Sequence, residues 1–145
     1  MKYVYTFLIM ILSASAHAAN PWWDDEKALY TTPEVFKFEG YGRVEISVNR
    51  ALTGPASENE WFVDFRLNML DFTRIKSTRL LKVYHCGKRQ SKTIGFASYG
   101  QYDNKGAVVD GELMFNKNAE YEPILNHNHK TYSYDTVMLN LVCGI

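Results

Sequence analysis

STRLLKVYHCGKRQSKTIGFASYGQY, residues 77 to 102, holds one of the chain's two cysteines between two strand-like runs. Arg79 to His85 leads into Cys86, and Lys92 to Tyr99 follows after a short turn that leaves no room for a crossover helix. Antiparallel hairpins are therefore the expected topology. Leu80 and Leu81 are adjacent, so one of them must face outward or into a second packed layer. The other cysteine, Cys143, comes 57 residues later, and we expect the two to form one disulfide, because paired cysteines are the norm in an oxidising compartment. Closing so long a loop stabilises the fold by about 4 kcal/mol in the chain-entropy model.

Outward from this hairpin the same period of two recurs. Val44, Ile46 and Val48 alternate with Arg43, Glu45 and Ser47, and Trp61, Val63, Phe65 and Leu67 alternate with Asp64, Arg66 and Asn68. Glu34 to Phe38 and Ala107 to Phe115 extend the sheet, and Thr53 to Asn59 reads as a loop by composition. Asn116 to Lys130 is polar and reads as a long loop with one edge segment. Then the period changes. Ser133 is placed to cap a helix, Asp135 sits in its first turn where a negative charge suits the dipole, and Gly144 stops it. Val137, Met138, Leu141 and Val142 make an apolar stripe at helical spacing. The expected fold is α+β: an antiparallel sheet of about five to six strands, with a C-terminal helix tied to it by Cys86 and Cys143.

The first residues, MKYVYTFLIMILSASAHA, combine Lys2, an apolar run and an Ala16-x-Ala18 site. This is the layout of a cleaved secretory signal over residues 1–18, and a run too short to span a bilayer. We expect an N-terminal arm over residues 19–33 and a domain over residues 34–145, in a soluble chain that is periplasmic or secreted. No cysteine follows the signal to accept a lipid. Removing residues 1–18 from the 145 leaves 127, with 15 basic and 16 acidic side chains, so there is no global field to recruit nucleic acid or an anionic membrane. The Trp22-Trp23 pair in the arm either packs onto the domain or stacks on a ligand.

Chemistry-bearing patterns are sparse. His85 and Cys86 are neighbours, but adjacent strand residues face opposite sides and a disulfide removes the thiol. His127-Asn128-His129 offers two metal ligands where a closed site needs more, so we expect no metal and no cofactor. Nucleophile elbows, phosphate loops and paired acids are missing, which points to a binding protein and not an enzyme. One local feature stands out. From Arg74 to Lys92 there are seven Lys or Arg and no Asp or Glu. Such a strip either binds an acidic partner or protects exposed strands from edge pairing.

Lys76-Ser77-Thr78-Arg79 leading into Val83-Tyr84-His85-Cys86, the Tyr99 and Tyr102 region with Gly106, Tyr134-Asp135 and the terminal Val142-Cys143-Gly144 together resemble the surface-adhesin protein E family, small exported proteins of Gram-negative bacteria. The likeness covers roughly the last seventy residues. It implies a surface protein that holds host matrix or plasma proteins through the basic region around the first cysteine, here Arg79, Lys82, Lys88, Arg89 and Lys92. This chain departs from the best-known member in having no lipid-acceptor cysteine, and in carrying His85 where an aspartate or asparagine is common. Two other classes remain open: a periplasmic inhibitor or immunity protein against a cell-wall hydrolase, and a small-ligand carrier lined by aromatic residues.

Overall fold

Alternating residues along the central strands divide the chain's side chains between two faces of one sheet. The computed structural model describes residues 28–113, 115–124 and 133–144. Its strands are β1 (Leu29–Thr31), β2 (Phe36–Phe38), β3 (Gly42–Asn49), β4 (Gly54–Ser57), β5 (Glu60–Met69), β6 (Ser77–His85), β7 (Gln90–Tyr99), β8 (Val108–Glu112) and β9 (Glu122–Pro123). Among the described residues a single 3-10 turn, Tyr102–Asn104, precedes β8, and one helix, α1 (Tyr134–Cys143), follows β9.

All pairings are antiparallel. The path runs β1-β3-β5-β6-β7-β8, with β2, β4 and β9 pairing onto β3, β5 and β7. β1 and β2 share one edge of β3, β3 and β4 share one edge of β5, and β8 and β9 share the outer edge of β7. The nine segments thus lie six abreast. β4 corrects the loop expected over Thr53 to Asn59: Gly54-Pro55 looks like turn material, yet Gly54 pairs with Phe62 and Pro55 with Trp61. Pro55 is tolerated because β4 continues the line of β3 with only its inner side bonded. β1 lies within the segment expected to be an arm and is bonded into the sheet at Leu29, Tyr30 and Thr31. Residues 1–18, Trp22, Trp23 and the His127-Asn128-His129 unit lie outside the described residues.

The register puts Val44, Ile46, Val48, Val63, Phe65, Leu67, Leu80 and Tyr84 on one face, and all are buried in one cluster with Met138, Leu139 and Val142 of α1. Phe65 is the hinge of the aromatic packing, with its ring centroid 6.5 Å from Tyr84 and 6.0 Å from Tyr134. Leu80 joins this core while Leu81, also buried, lies on the other face. The helix begins as expected. Ser133 has extended backbone and its Oγ accepts from Thr136 N, Asp135 is in the first turn, and Gly144 closes the end at φ 68°.

Two fastenings set the direction of α1. Near its start Asp135 Oδ1 accepts hydrogen bonds from Lys82 Nζ and Tyr84 Oη, each at 2.7 Å. In its last turn Cys143 is bonded to Cys86, with the Cα atoms 5.7 Å apart. Eight residues of helix advance about 12 Å and four residues of strand about 13 Å, so the helix runs alongside β6 in the same direction. No helix among the described residues is long and apolar enough to cross a membrane.

Candidate functional site

The five basic residues singled out in the sequence fall into four separate surroundings. Lys82 is only 4 % exposed, under α1, with Nζ on Asp135 and over the rings of Tyr84 and Tyr134. Arg79 lies on the opposite face. Lys88 and Arg89 form the β6–β7 turn at the far end of the hairpin; Lys88 is exposed, and Arg89 is half-buried with φ 50°. Lys92 holds its ammonium 4.7 Å from the centroid of Tyr121. The geometry therefore gathers no continuous strip from these five. Cys86 is bonded, so no thiol is present beside His85. Among the described residues no three of His, Cys, Asp and Glu come together as a metal site.

What the fold does gather is a groove of mixed polar and apolar lining on the face away from α1, with a volume of about 410 Å³. Its floor is Ser47 on β3, Asp64 and Arg66 on β5, and Arg79 on β6. Leu29 and Asn49 rise on one side, Tyr99 and Asn104 on the other. Such a face usually meets water and carries exposed polar side chains. Here Ser47 and Asp64 are buried, 1 % and 2 % exposed: Thr31 and Arg66 meet the Ser47 hydroxyl, and Asn49 and Arg79 meet the Asp64 carboxylate.

The decisive relationship is a register fact. Arg66 and Arg79 are directly opposed across β5 and β6. Like charges in that position are unfavourable unless something neutralises them. Asp64 does so for Arg79, taking Nε at 2.9 Å on one oxygen and Nη2 at 2.8 Å on the other, the fork geometry that suits a carboxylate best. The carboxylate holds Arg79 still more firmly in its charged form, through this hydrogen bonding more than through Coulomb attraction. Asn49 Nδ2 adds a third hydrogen bond to Asp64 at 3.2 Å.

Arg66 is served less well. Its Nη2 reaches Ser47 Oγ at 3.2 Å and Asp103 Oδ1 at 3.1 Å, while Nε is buried and has no hydrogen-bond partner among the described residues. Asp103 is also held by Asn68, whose Nδ2 donates to Oδ1 at 3.0 Å and whose Oδ1 accepts from Asp103 N at 3.0 Å. No family model matches the chain, and neither a curated protein nor a solved structure matches it.

Of these groove residues the sequence reading gave a binding role only to Arg79. Asp64, Arg66 and Ser47 were visible as the polar half of an alternating pattern, but their gathering depends on the β5–β6 register. That register follows from the length of the 70–76 connection. The signal available in the sequence was the density of charge on a sheet face that otherwise needs none.

Proposed function

We propose that the protein is an exported binding protein, similar in kind to surface-adhesin protein E, and that it holds an acidic group in the groove over Arg66 and Arg79. The observation that carries this reading is the direct opposition of two guanidiniums on a groove floor. Arg79 spends Nε and Nη2 on Asp64 and keeps further N–H groups of its fork, in a side chain 30 % exposed. Arginine is suited to carboxylates because its planar fork matches their two oxygens. Asn49 and Tyr99 on the sides supply amide and hydroxyl groups for the rest of a polar ligand. The groove is small enough for one acidic sugar or one acidic side chain of a partner protein. Export rests on the signal-like residues 1–18, and the intact mass of the native protein tests it: a chain beginning near Ala19 is expected, and one retaining residues 1–18 overturns it.

Calorimetric titration tests the groove. Galacturonate and the N-acetyl amide of glutamate present the same carboxylate from a sugar and from a peptide, and galactose and the glutamine counterpart present none. We expect binding by one or both acids, none by the neutral pair, weakening as salt rises, and loss of binding in Arg79→Gln. Lys88→Ser with Arg89→Ser should change nothing, since that turn lies roughly 20 Å along β6 from Arg79. The reverse pattern, sensitivity to the turn and none to Arg79, overturns the groove and returns the binding face to the hairpin end.

A further inference from the structure

We infer that Asp103 is an internal stand-in for the ligand's carboxylate, and that the Tyr102–Asn104 turn is a latch that must lift for the groove to fill. The inference rests on the groove reading above and concerns how that site is regulated.

The two arginines differ in a way that calls for an explanation. Arg79 meets its carboxylate through two N–H groups; Arg66 meets Asp103 through Nη2 alone and leaves Nε unmet. A buried donor without a partner is costly, and a side-on carboxylate taking both Nε and Nη2 would satisfy it. Nε is sealed from solvent while Asp103 lies on Nη2 of the same guanidinium, so we take a ligand to gain that contact by displacing the Tyr102–Asn104 turn.

The turn is built to be moved. Asp103 and Asn104 both have left-handed backbone, φ 62° and 56°, which Asp and Asn adopt more readily than other residues with a side chain but at a cost that glycine does not carry. Asn104 Oδ1 is a second buried polar atom with no partner among the described residues. Against this stand the Arg66–Asp103 pair itself, the Asn68 pair, Lys76 Nζ 5.2 Å from the Tyr102 centroid, and Ser77 Oγ, which donates to Gln101 O at 2.6 Å and accepts from Asn104 N at 2.9 Å. Gly100 and Gly106 bracket the segment, the latter at φ 81°, as a short hinged latch requires. Asp103 is half-exposed already, so releasing its carboxylate to water costs little. Its departure leaves Arg66 and Arg79 against Asp64 alone, an excess of one positive charge for an incoming acid.

Asp103→Asn is the test, because the amide keeps an oxygen for Asn68 while removing the competing charge. With galacturonate and the N-acetyl amide of glutamate as probes, we expect affinity about fivefold tighter than in the unaltered protein. Arg66→Gln should weaken binding, and adding Asp103→Asn to it should bring no further gain. Unchanged or weaker binding in Asp103→Asn, with binding still lost in Arg79→Gln, overturns the latch and leaves the groove standing. Absence of binding by the unaltered protein and by Asp103→Asn alike overturns both.

Discussion

Lys82 Nζ and Asp135 Oδ1 are 2.7 Å apart beneath a helix, in a strand whose next residue but one on that face, Tyr84, donates to the same oxygen. A lysine that the sequence offers as a surface charge is thus a foundation of the core. The residue is 4 % exposed and its ammonium lies over the rings of Tyr84 and Tyr134, which offsets part of the cost of burial.

Removing the acid should hurt more than removing the base. Asp135→Asn strands a buried ammonium and is expected to cost about 3 kcal/mol. Lys82→Met leaves Asp135 with Tyr84 and the helix N-terminus, and replaces the lysine stem with apolar volume, so about 1 kcal/mol is expected. Urea unfolding of the two variants ranks them, and equal losses would show that the pair is not the fastening we describe.

Alkaline pH should unfold the protein in a specific window. Burial, and then the neighbouring Asp135 carboxylate, push the Tyr84 hydroxyl well above its ordinary value, and the same two causes raise Tyr134. The folded state therefore keeps protons that the unfolded chain releases from about pH 10 upward. Stability is complete below that pH and falls as pH rises beyond it, by about 1.4 kcal/mol per pH unit for each tyrosine. Urea midpoints at pH 9, 10 and 11 should decline accordingly, and Tyr84→Phe should flatten the decline.

The bond between Cys86 and Cys143 closes a loop of 57 residues, so its loss should cost about 4 kcal/mol. α1 has ten residues, too few to be helical alone. Paired substitution of both cysteines by alanine should lower the melting temperature and loosen the helix first, seen as early amide exchange from Val137 to Cys143. Unaltered exchange there would mean that Asp135 and the apolar contacts suffice.

Gly111 sits in β8 at φ 77°, and a Cβ there would come 2.5 Å from Phe96 Cε2 and 2.6 Å from Phe96 O. Gly111→Ala must therefore displace backbone as well as a ring. We expect a loss of about 2 kcal/mol and release of the β8 edge, measurable by thermal unfolding and by exchange of the Ala97 and Tyr99 amides.

Where one face of a strand is apolar and the other charged, the sequence was enough: β3, β5 and the caps of α1 lie where alternation and capping put them. Of the expected helix stripe, Met138 and Val142 are in the core and Val137 and Leu141 pack against it, while Leu139 was missed. Asp135, Met138, Leu139 and Val142 follow i, i+3, i+4, i+7, but a stripe that starts with an aspartate is recognisable only once Lys82 is known to lie beneath it. Gly54-Pro55 hid β4 because composition speaks for turns and not for the partner strand. The groove was the least legible part, since opposing Arg66 to Arg79 is a property of a register between residues thirteen apart.

The meander of β5, β6, β7 and β8 also bears on the order of assembly. Each of these strands pairs with its immediate successor, so the centre of the sheet forms through short loops that close quickly. α1 returns to β6 across more than fifty residues, and its fastening at Lys82 comes from a contact at a sequence distance of 53. The helix is then the last piece to arrive, and its docking is what brings Cys143 to Cys86. With two cysteines a chain has one internal pairing, so no reshuffling step stands between collapse and the finished fold. The hazard is of another kind: until the helix lands, the apolar face of β3, β5 and β6 and two free thiols are offered to neighbouring chains, and folding yield should fall with protein concentration.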